Sequence, residues 1–340
     1  MALWGLWALV LIAPVFATLI WFVISPRPTP ISLTSRHVLI TGGSSGIGLC
    51  VAQLAAFEGA KISIVGRDTE KLKSARTAIL DYYKSKPSKG GFKEEELPQV
   101  HFFSADVKSF ESIEKAVNAA VAESGPLDVL VCCHGVAVPQ TFEDTNLDTM
   151  YHMLDTNLKG NLHTIKAALP HINKDRPSTN PGCIAIFSTQ AAQVSLYGYA
   201  AYSASKGGLR SLAEALQQEL LPYNIRVSVV YPPDTDTPGF IEENKTKPEL
   251  TAKLSETSKG MDPLDVAKAA IKGIKVGHFN ISCGFEGFML NTATAGMSPQ
   301  TSLPLALTEI FSMGLLRIVA LIIISGWNKT IRDWHRNQKK

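Results

Sequence analysis

The sequence has little net charge, few cysteines and no metal-ligand spacing, and each shortage removes a class of function. Lysine and arginine number 33 against 30 aspartates and glutamates, a formal charge of +3. Lys329, Arg332, Arg336, Lys339 and Lys340, against Asp333, concentrate +4 in the last twelve residues and leave −1 for everything else. A body without excess positive charge offers no face to a nucleic-acid backbone, so no nucleic-acid partner is expected. The five cysteines (Cys50, Cys132, Cys133, Cys183, Cys283) contain no C-x-x-C pair, which argues against a zinc site or a redox couple. Cys132, Cys133 and His134 adjoin one another, but neighbours on a strand point to opposite faces, and no metal is expected there.

Charge is absent altogether from Met1 to Pro26, and Leu3 to Ile24 is long enough as a helix to cross a hydrocarbon layer. A basic leader region is missing and no A-x-A site precedes Ser25, so a retained anchor over residues 1–26 is expected rather than a cleaved signal. Trp4, Trp7 and Trp21 lie near its ends, and Arg27 and Arg36 follow it, which places the rest of the chain in the cytosol. At the other end Gly287 to Thr308 is uncharged, and Ile310 to Trp327 is apolar apart from Arg317. A hairpin of two short spans over 284–328 would return the basic tail, 329–340, to the cytosol. Glu309, Arg317, Pro299 and Pro304 count against deep insertion, so a monotopic, half-inserted segment is the competing expectation.

Between these ends, with hydrophobic residues at 45% of the chain, there is ample material for a folded core. Short β-rich runs alternate with longer amphipathic stretches: His37–Thr41, Ile62–Val65, Val100–Phe103, Val129–Cys132, Cys183–Phe187, Arg226–Val230 and Phe279–Cys283. Most are continuously apolar, as in strands covered on both faces, and the spacings leave room for crossover helices. The fold class expected is α/β, a doubly wound (Rossmann) parallel sheet of about seven strands. Ser85 to Pro98 reads as a solvated insertion.

Directly after the first strand comes Thr41-Gly42-Gly43-Ser44-Ser45-Gly46-Ile47-Gly48, opening a helical run from Leu49 to Phe57. Missing Cβ atoms admit a pyrophosphate, and the helix N-terminus stabilises its charge. Gly42, Ser44, Ser45, Gly46, Ile47 and Gly48 are therefore candidate cofactor residues. The second strand ends in Val65-Gly66-Arg67, where an acid would accept from a ribose hydroxyl and a base pairs with a 2′-phosphate. Arg67, with Lys71 one turn on and Ser44 or Ser45 as donors, favours NADPH over NADH. Asp68 is better placed as the N-cap of the next helix.

Tyr202-Ser203-Ala204-Ser205-Lys206 opens another helix, where i and i+4 share a face. An ammonium beside a phenol lowers the phenol pKa towards working pH, which suits proton exchange with a carbonyl oxygen. The strand before it ends in Ser188-Thr189, at the edge where such sheets bind ligands, and either hydroxyl is placed to hold a substrate oxygen.

In these motifs the sequence resembles the short-chain dehydrogenase/reductase family, over roughly residues 34–283. The resemblance implies that Tyr202 is the proton donor in ketone reduction and that Lys206 tunes it and binds the nicotinamide ribose. It implies that Asn157 holds a proton-relay water and that Asp106 contacts the adenine. The family's serine matches Ser188 or Thr189, fourteen or thirteen positions before Tyr202, and Ser188 is taken as the catalytic hydroxyl. The pattern departs from the family in two places. Cys132-Cys133-His134-Gly135 stands where Asn-Asn-Ala-Gly is usual, which removes an asparagine contact to the central sheet. Pro232-Pro233 replaces Pro-Gly and stiffens the loop beside the nicotinamide.

An apolar segment at each end points to a substrate that resides in the bilayer, and a long-chain lipid ketone fits best. The region from Pro233 to Lys259 is expected to form the substrate lid, and Asp262-Pro263 to restart a helix. A steroid, retinoid or 3-ketoacyl-CoA reductase is the rival within the family, and a non-catalytic NADP-binding scaffold the rival outside it. A homo-oligomer is left open.

Overall fold

A computed structural model describes residues 14–15, 18–19, 29–85, 97–255 and 260–338. Apart from those four helical positions, the expected N-terminal anchor lies outside the described residues, as do residues 86–96 of the insertion.

All seven strands are present within a residue or two of the apolar runs. They are β1 (His37–Thr41), β2 (Lys61–Gly66), β3 (Val100–Ser104), β4 (Val129–Cys132), β5 (Gly182–Phe187), β6 (Ile225–Tyr231) and β7 (Asn280–Ser282). Every pairing is parallel, in the order β3-β2-β1-β4-β5-β6-β7. The order reverses between β1 and β4, and a crevice opens there beyond the strands' C-terminal ends. The strands look apolar throughout because both faces are covered. Val38, Ile40, Val129, Val131 and Cys183 pack under α1 (Gly46–Phe57), α2 (Thr69–Ser85) and α9 (Pro263–Val276). Leu39, Leu130, Cys132, Ile184 and Ile186 pack under α3 (Phe110–Ser124), α5 (Gly160–Ala168) and α6 (Ala200–Leu220). In α6 the stripe Leu209, Ala213, Leu216 and Leu220 is buried, and this fixes the rotation of the helix and so the direction of Tyr202 and Lys206 at its start.

Between α4 (Leu147–Leu154) and α5 the chain makes one π-helical turn, Asp155–Lys159, which carries Asn157. After β6, the expected lid forms two short helices, α7 (Pro238–Asn244) and α8 (Glu249–Leu254). The side chain of Asp262 caps α9 by accepting from the Leu264 amide at 2.7 Å, with Pro263 at the first helical position.

The C-terminal region differs from the hairpin. Gly284–Ala293 is a helix, α10, that belongs to the α/β domain: Gly287, Asn291 and Thr292 are buried, and Gln193 Nε2 donates to Asn291 Oδ1 at 2.6 Å. From Gly287 on, this helix lacks charge where it packs against protein. Arg210 then clamps the following loop, donating to the carbonyls of Thr294 and Ala295 at 2.8 Å and to Ser298 Oγ at 2.9 Å. From there a single helix, α11 (Leu303–Gln338), runs for 36 residues, about 54 Å at helical rise. Pro304 sits in its first turn, where it costs no hydrogen bond, so no break occurs. Among the described residues it is the one helix long and apolar enough to cross a membrane. Leu315, Ile318 and Ile322 are exposed along it, while Ala306 in the first turn is buried. Near its far end the Trp334 ring lies 5.8 Å from Lys253 Nζ, and the His335 ring 6.2 Å from that of Tyr197. Both ends of the helix therefore rest on the α/β domain.

Arg36, expected as a flank of the N-terminal anchor, is instead spent inside the protein. It donates to the Pro181 carbonyl at 2.7 Å and lies 3.9 Å from Asp128.

Candidate active site

The glycine-rich turn joins β1 to α1 at the mouth of the crevice. Gly42 has φ +72°, and a Cβ on it would stand 2.8 Å from the His134 amide nitrogen; one on Gly48 would stand 2.3 Å from the Gly42 carbonyl oxygen. Only glycine allows this turn to close so tightly. Ser45 is the N-cap of α1 but makes no side-chain capping bond, so the first amides of that helix keep their donors for another acceptor. At the end of β2, Arg67 is exposed with no ion-pair partner among the described residues, and Ser44 Oγ lies against Gly66. Asp68 is occupied as an N-cap, accepting from the amides of Glu70 and Lys71 at 3.0 and 3.1 Å. Asp106 follows β3 and accepts from the Lys108 amide at 3.0 Å. Uncapped amides, a turn closed to side chains and a free guanidinium fit a phosphorylated nicotinamide dinucleotide, held by Gly42 to Gly48 at its pyrophosphate and by Arg67 at its 2′-phosphate.

Lys206, one turn into α6, is 4% exposed, and its ammonium donates to the Phe187 carbonyl at 2.8 Å. Burial pulls its pKa down to about 8, with the thiols of Cys133 and Cys132 offsetting part of the fall. Room for that ammonium depends on Gly135, where a Cβ would come within 2.9 Å of Nζ. In the sequence Gly135 stands only as the last residue of the motif after β4, and its close approach to Lys206 is a long-range contact that local spacing does not show.

The phenol of Tyr202 behaves differently from the expectation. Its pKa is raised, first by burial, then by Glu243 and more weakly by Asp234, against a hydrogen bond from Thr189 that lowers it. The amine that was expected to acidify it is turned onto the strand carbonyl. The phenol is thus held as a neutral O–H, the form a proton donor needs.

The two hydroxyls at the end of β5 separate. Ser188 Oγ, buried, donates to the backbone carbonyl of Lys206 at 2.9 Å, whereas the Thr189 hydroxyl accepts from the Ala191 amide at 3.2 Å and lies close enough to the Tyr202 phenol to lower its pKa. Successive residues of an extended strand point to opposite sides, so only one of the pair can face the crevice.

Asn157 is also used otherwise than expected. Its Oδ1 accepts from the Val136 amide at 2.8 Å, and its Nδ2 donates to the Val136 carbonyl at 2.8 Å and to Ser205 Oγ at 2.9 Å. Three of the four hydrogen-bonding valences of the amide are taken up in fixing the segment after β4 to α6, and one lone pair of Oδ1 remains.

At the departure from the family pattern, the central sheet is tied by a different chemistry. The Thr41 hydroxyl lies 2.7 Å from His134 Nδ1 and 3.4 Å from the Val131 carbonyl oxygen. His134 is buried, and its pKa is lowered to about 3, chiefly by desolvation, so the ring is neutral. The described residues contain no cluster of metal-ligating side chains.

The short chain dehydrogenase family profile matches residues 36–248. The chain is 44% identical over 319 residues to a 3-dehydrosphinganine reductase of Arabidopsis thaliana, covering 94% of this chain and 91% of that one. It is 41% identical to the 3-dehydrosphinganine reductase of Danio rerio (92% and 91% covered) and 38% identical to the 3-ketodihydrosphingosine reductase of Bos taurus (92% and 91%). Among solved structures, the 3-ketoacyl-(acyl-carrier-protein) reductase of Brucella melitensis complexed with NADH superposes with a TM-score of 0.60 at 25% identity, covering 75% of this chain and 93% of that one.

Proposed function

From the premise that this chain belongs to the short-chain dehydrogenase family, we propose that it reduces the ketone of 3-dehydrosphinganine (3-ketodihydrosphingosine) to the alcohol with NADPH, in sphingolipid biosynthesis. The observation that carries the reading is a phenol held neutral, with the Thr189 hydroxyl beside it, one helical turn from a buried lysine, in a chain whose glycine turn leaves its helix amides uncapped. NADPH, when bound, supplies the hydride. Tyr202 gives its proton to the oxygen as the carbonyl carbon is reduced. Thr189 orients that oxygen and the phenol together. Lys206 holds a positive charge near the site of the developing phenolate, which an isolated buried tyrosine would bear at high cost. Ser188 and Asn157 position the others: Ser188 fixes the Lys206 backbone, and Asn157 fixes the wall after β4. Asp106, which follows β3, would contact the adenine.

The test is turnover by the purified chain with NADPH against a panel of ketones. A 3-ketosphingoid base should be the best substrate. Faster reduction of a steroid, a retinoid or a 3-ketoacyl-CoA would reassign the substrate, and no turnover at all would favour a binding scaffold.

The same reading places the protein on the cytosolic face of the endoplasmic reticulum. Because both ends of α11 rest on the reductase domain, its apolar middle is read as lying in the plane of the membrane surface, with Trp327 and the basic residues near its end at the headgroups. Asn328, in an Asn-Lys-Thr sequon, should then remain unglycosylated, and glycosylation there would show that the helix crosses.

A further inference from the structure

The lid places an incompletely neutralised acid beside the reacting phenol. Glu243, at the end of α7, accepts a hydrogen bond from the Tyr199 hydroxyl, and the Tyr199 ring lies 5.8 Å from the ring of Tyr202. Asp234, at the start of the lid, has Lys247 Nζ at 4.0 Å. That lysine side chain is 8% exposed, and its ammonium also lies 4.6 Å over the Phe240 ring. Two half-buried carboxylates thus lie near one buried ammonium, which pairs with Asp234 and lowers the pKa of Glu243. Glu243 Oε2 takes no hydrogen bond from any described residue. Both carboxyls are pushed up by burial, and both act electrostatically on the Tyr202 phenol, so they lie within reach of the reaction.

A half-buried carboxylate held by one neutral hydroxyl, with one lysine nearby, is costly unless a cation joins it. A 2-amino-3-ketone carries one. Its ammonium is on the carbon next to the carbonyl, so a substrate whose oxygen meets Tyr202 brings that charge to the wall built by Tyr199 and Glu243.

We propose that Glu243, held by Tyr199 beside Tyr202, is the counter-ion for the substrate's 2-ammonium group and selects aminoketones over plain ketones. This rests on the keto-lipid reductase reading above. Tyr199 is a positioning residue in this arrangement: it fixes one oxygen of Glu243, and the other takes no hydrogen bond from any described residue. Asp234 is occupied by Lys247 and adds negative field without contacting the substrate.

The experiment uses the full chain in detergent with NADPH and two substrates of equal chain length, a 3-ketosphingoid base and the corresponding 1-hydroxy-3-ketone without the amine. The unaltered protein should prefer the aminoketone by about 10- to 100-fold in kcat/KM, the range of a charge-assisted hydrogen bond. Glu243→Gln keeps an acceptor for Tyr199 and removes the charge. It should abolish that preference, mainly through KM for the aminoketone, and leave the plain ketone unchanged or improved. Tyr199→Phe should move in the same direction by less. Equal losses on both ketones would mean a purely structural lid contact and would overturn the proposal, as would undiminished preference in Glu243→Gln. Should that variant not fold, the absence of a preference in the unaltered protein decides against the proposal. If the unaltered protein reduces neither ketone, it is the underlying reductase reading that fails.

Discussion

The Thr189 side chain stands beside the Tyr202 phenol, whose pKa it lowers, while its neighbour Ser188 turns away and donates to the Lys206 carbonyl at 2.9 Å. Thr189→Ala should therefore lower kcat by about 10²- to 10³-fold, as loss of one donor at a reacting oxygen does. Ser188→Ala should leave kcat within about tenfold and cost about 1 kcal/mol of stability. Steady-state NADPH oxidation with both variants checks this, and the opposite ranking would return the role to Ser188.

Lys206 gives a pH signature. Its pKa in the fold is about 8 against an ordinary 10.5, so the ammonium needed beside the phenolate is lost as pH rises through about 8. The reduction rate should fall on that limb, and Lys206→Arg, which does not titrate there, should lack the limb at a lower overall rate. Stability runs the other way. Between about 8 and 10.5 the unfolded lysine holds a proton that the folded one has released, so this residue's contribution to stability rises with pH across that window. Rate profiles and denaturant unfolding at several pH values separate the two.

Arg67 has no competing partner among the described residues, so its removal should be felt at the cofactor alone. Arg67→Ala should raise KM for NADPH by about 10- to 100-fold with little change for NADH, the cost of losing a charge-assisted phosphate contact. Equal effects on both cofactors would remove Arg67 from the 2′-phosphate site.

The sheet was legible because every strand is a short apolar run bounded by turn residues, and the glycine turn and the Tyr202–Lys206 pair because local spacing defines them. The rest depends on long-range packing. Strand pleating at the exit of β5 decides between Ser188 and Thr189, and periodicity alone does not tell which side faces the crevice. The contact between Tyr199 and Glu243 spans 44 residues and a lid. The uncharged stretch from Gly287 to Thr308 suggested a membrane span, but absence of charge marks burial in protein as readily as burial in lipid, and here Asn291 and Thr292 show which. Arg36 misled in the same way: a basic residue after an apolar segment suggested a membrane flank, whereas it ties β1 to the loop before β5.

His134 stands where the family pattern has alanine, and the two differ in one respect that can be measured. The imidazole fills a buried site against Gly160, with Nδ1 2.7 Å from the Thr41 hydroxyl, so His134→Ala removes packing and leaves that hydroxyl only its 3.4 Å contact with the Val131 carbonyl. The cost should be about 2–4 kcal/mol. The ring also makes the fold acid-sensitive. Its folded pKa is about 3 and its ordinary value 6.5, so the contribution of the neutral ring is complete above pH 6.5 and is lost as pH falls towards 3, where the unfolded chain binds a proton the folded one refuses. Urea midpoints at pH 7 and pH 5 should differ in the unaltered protein and converge in His134→Ala. If the variant keeps the same pH dependence, another buried base, such as His37, whose pKa is likewise lowered by burial, carries the acid sensitivity.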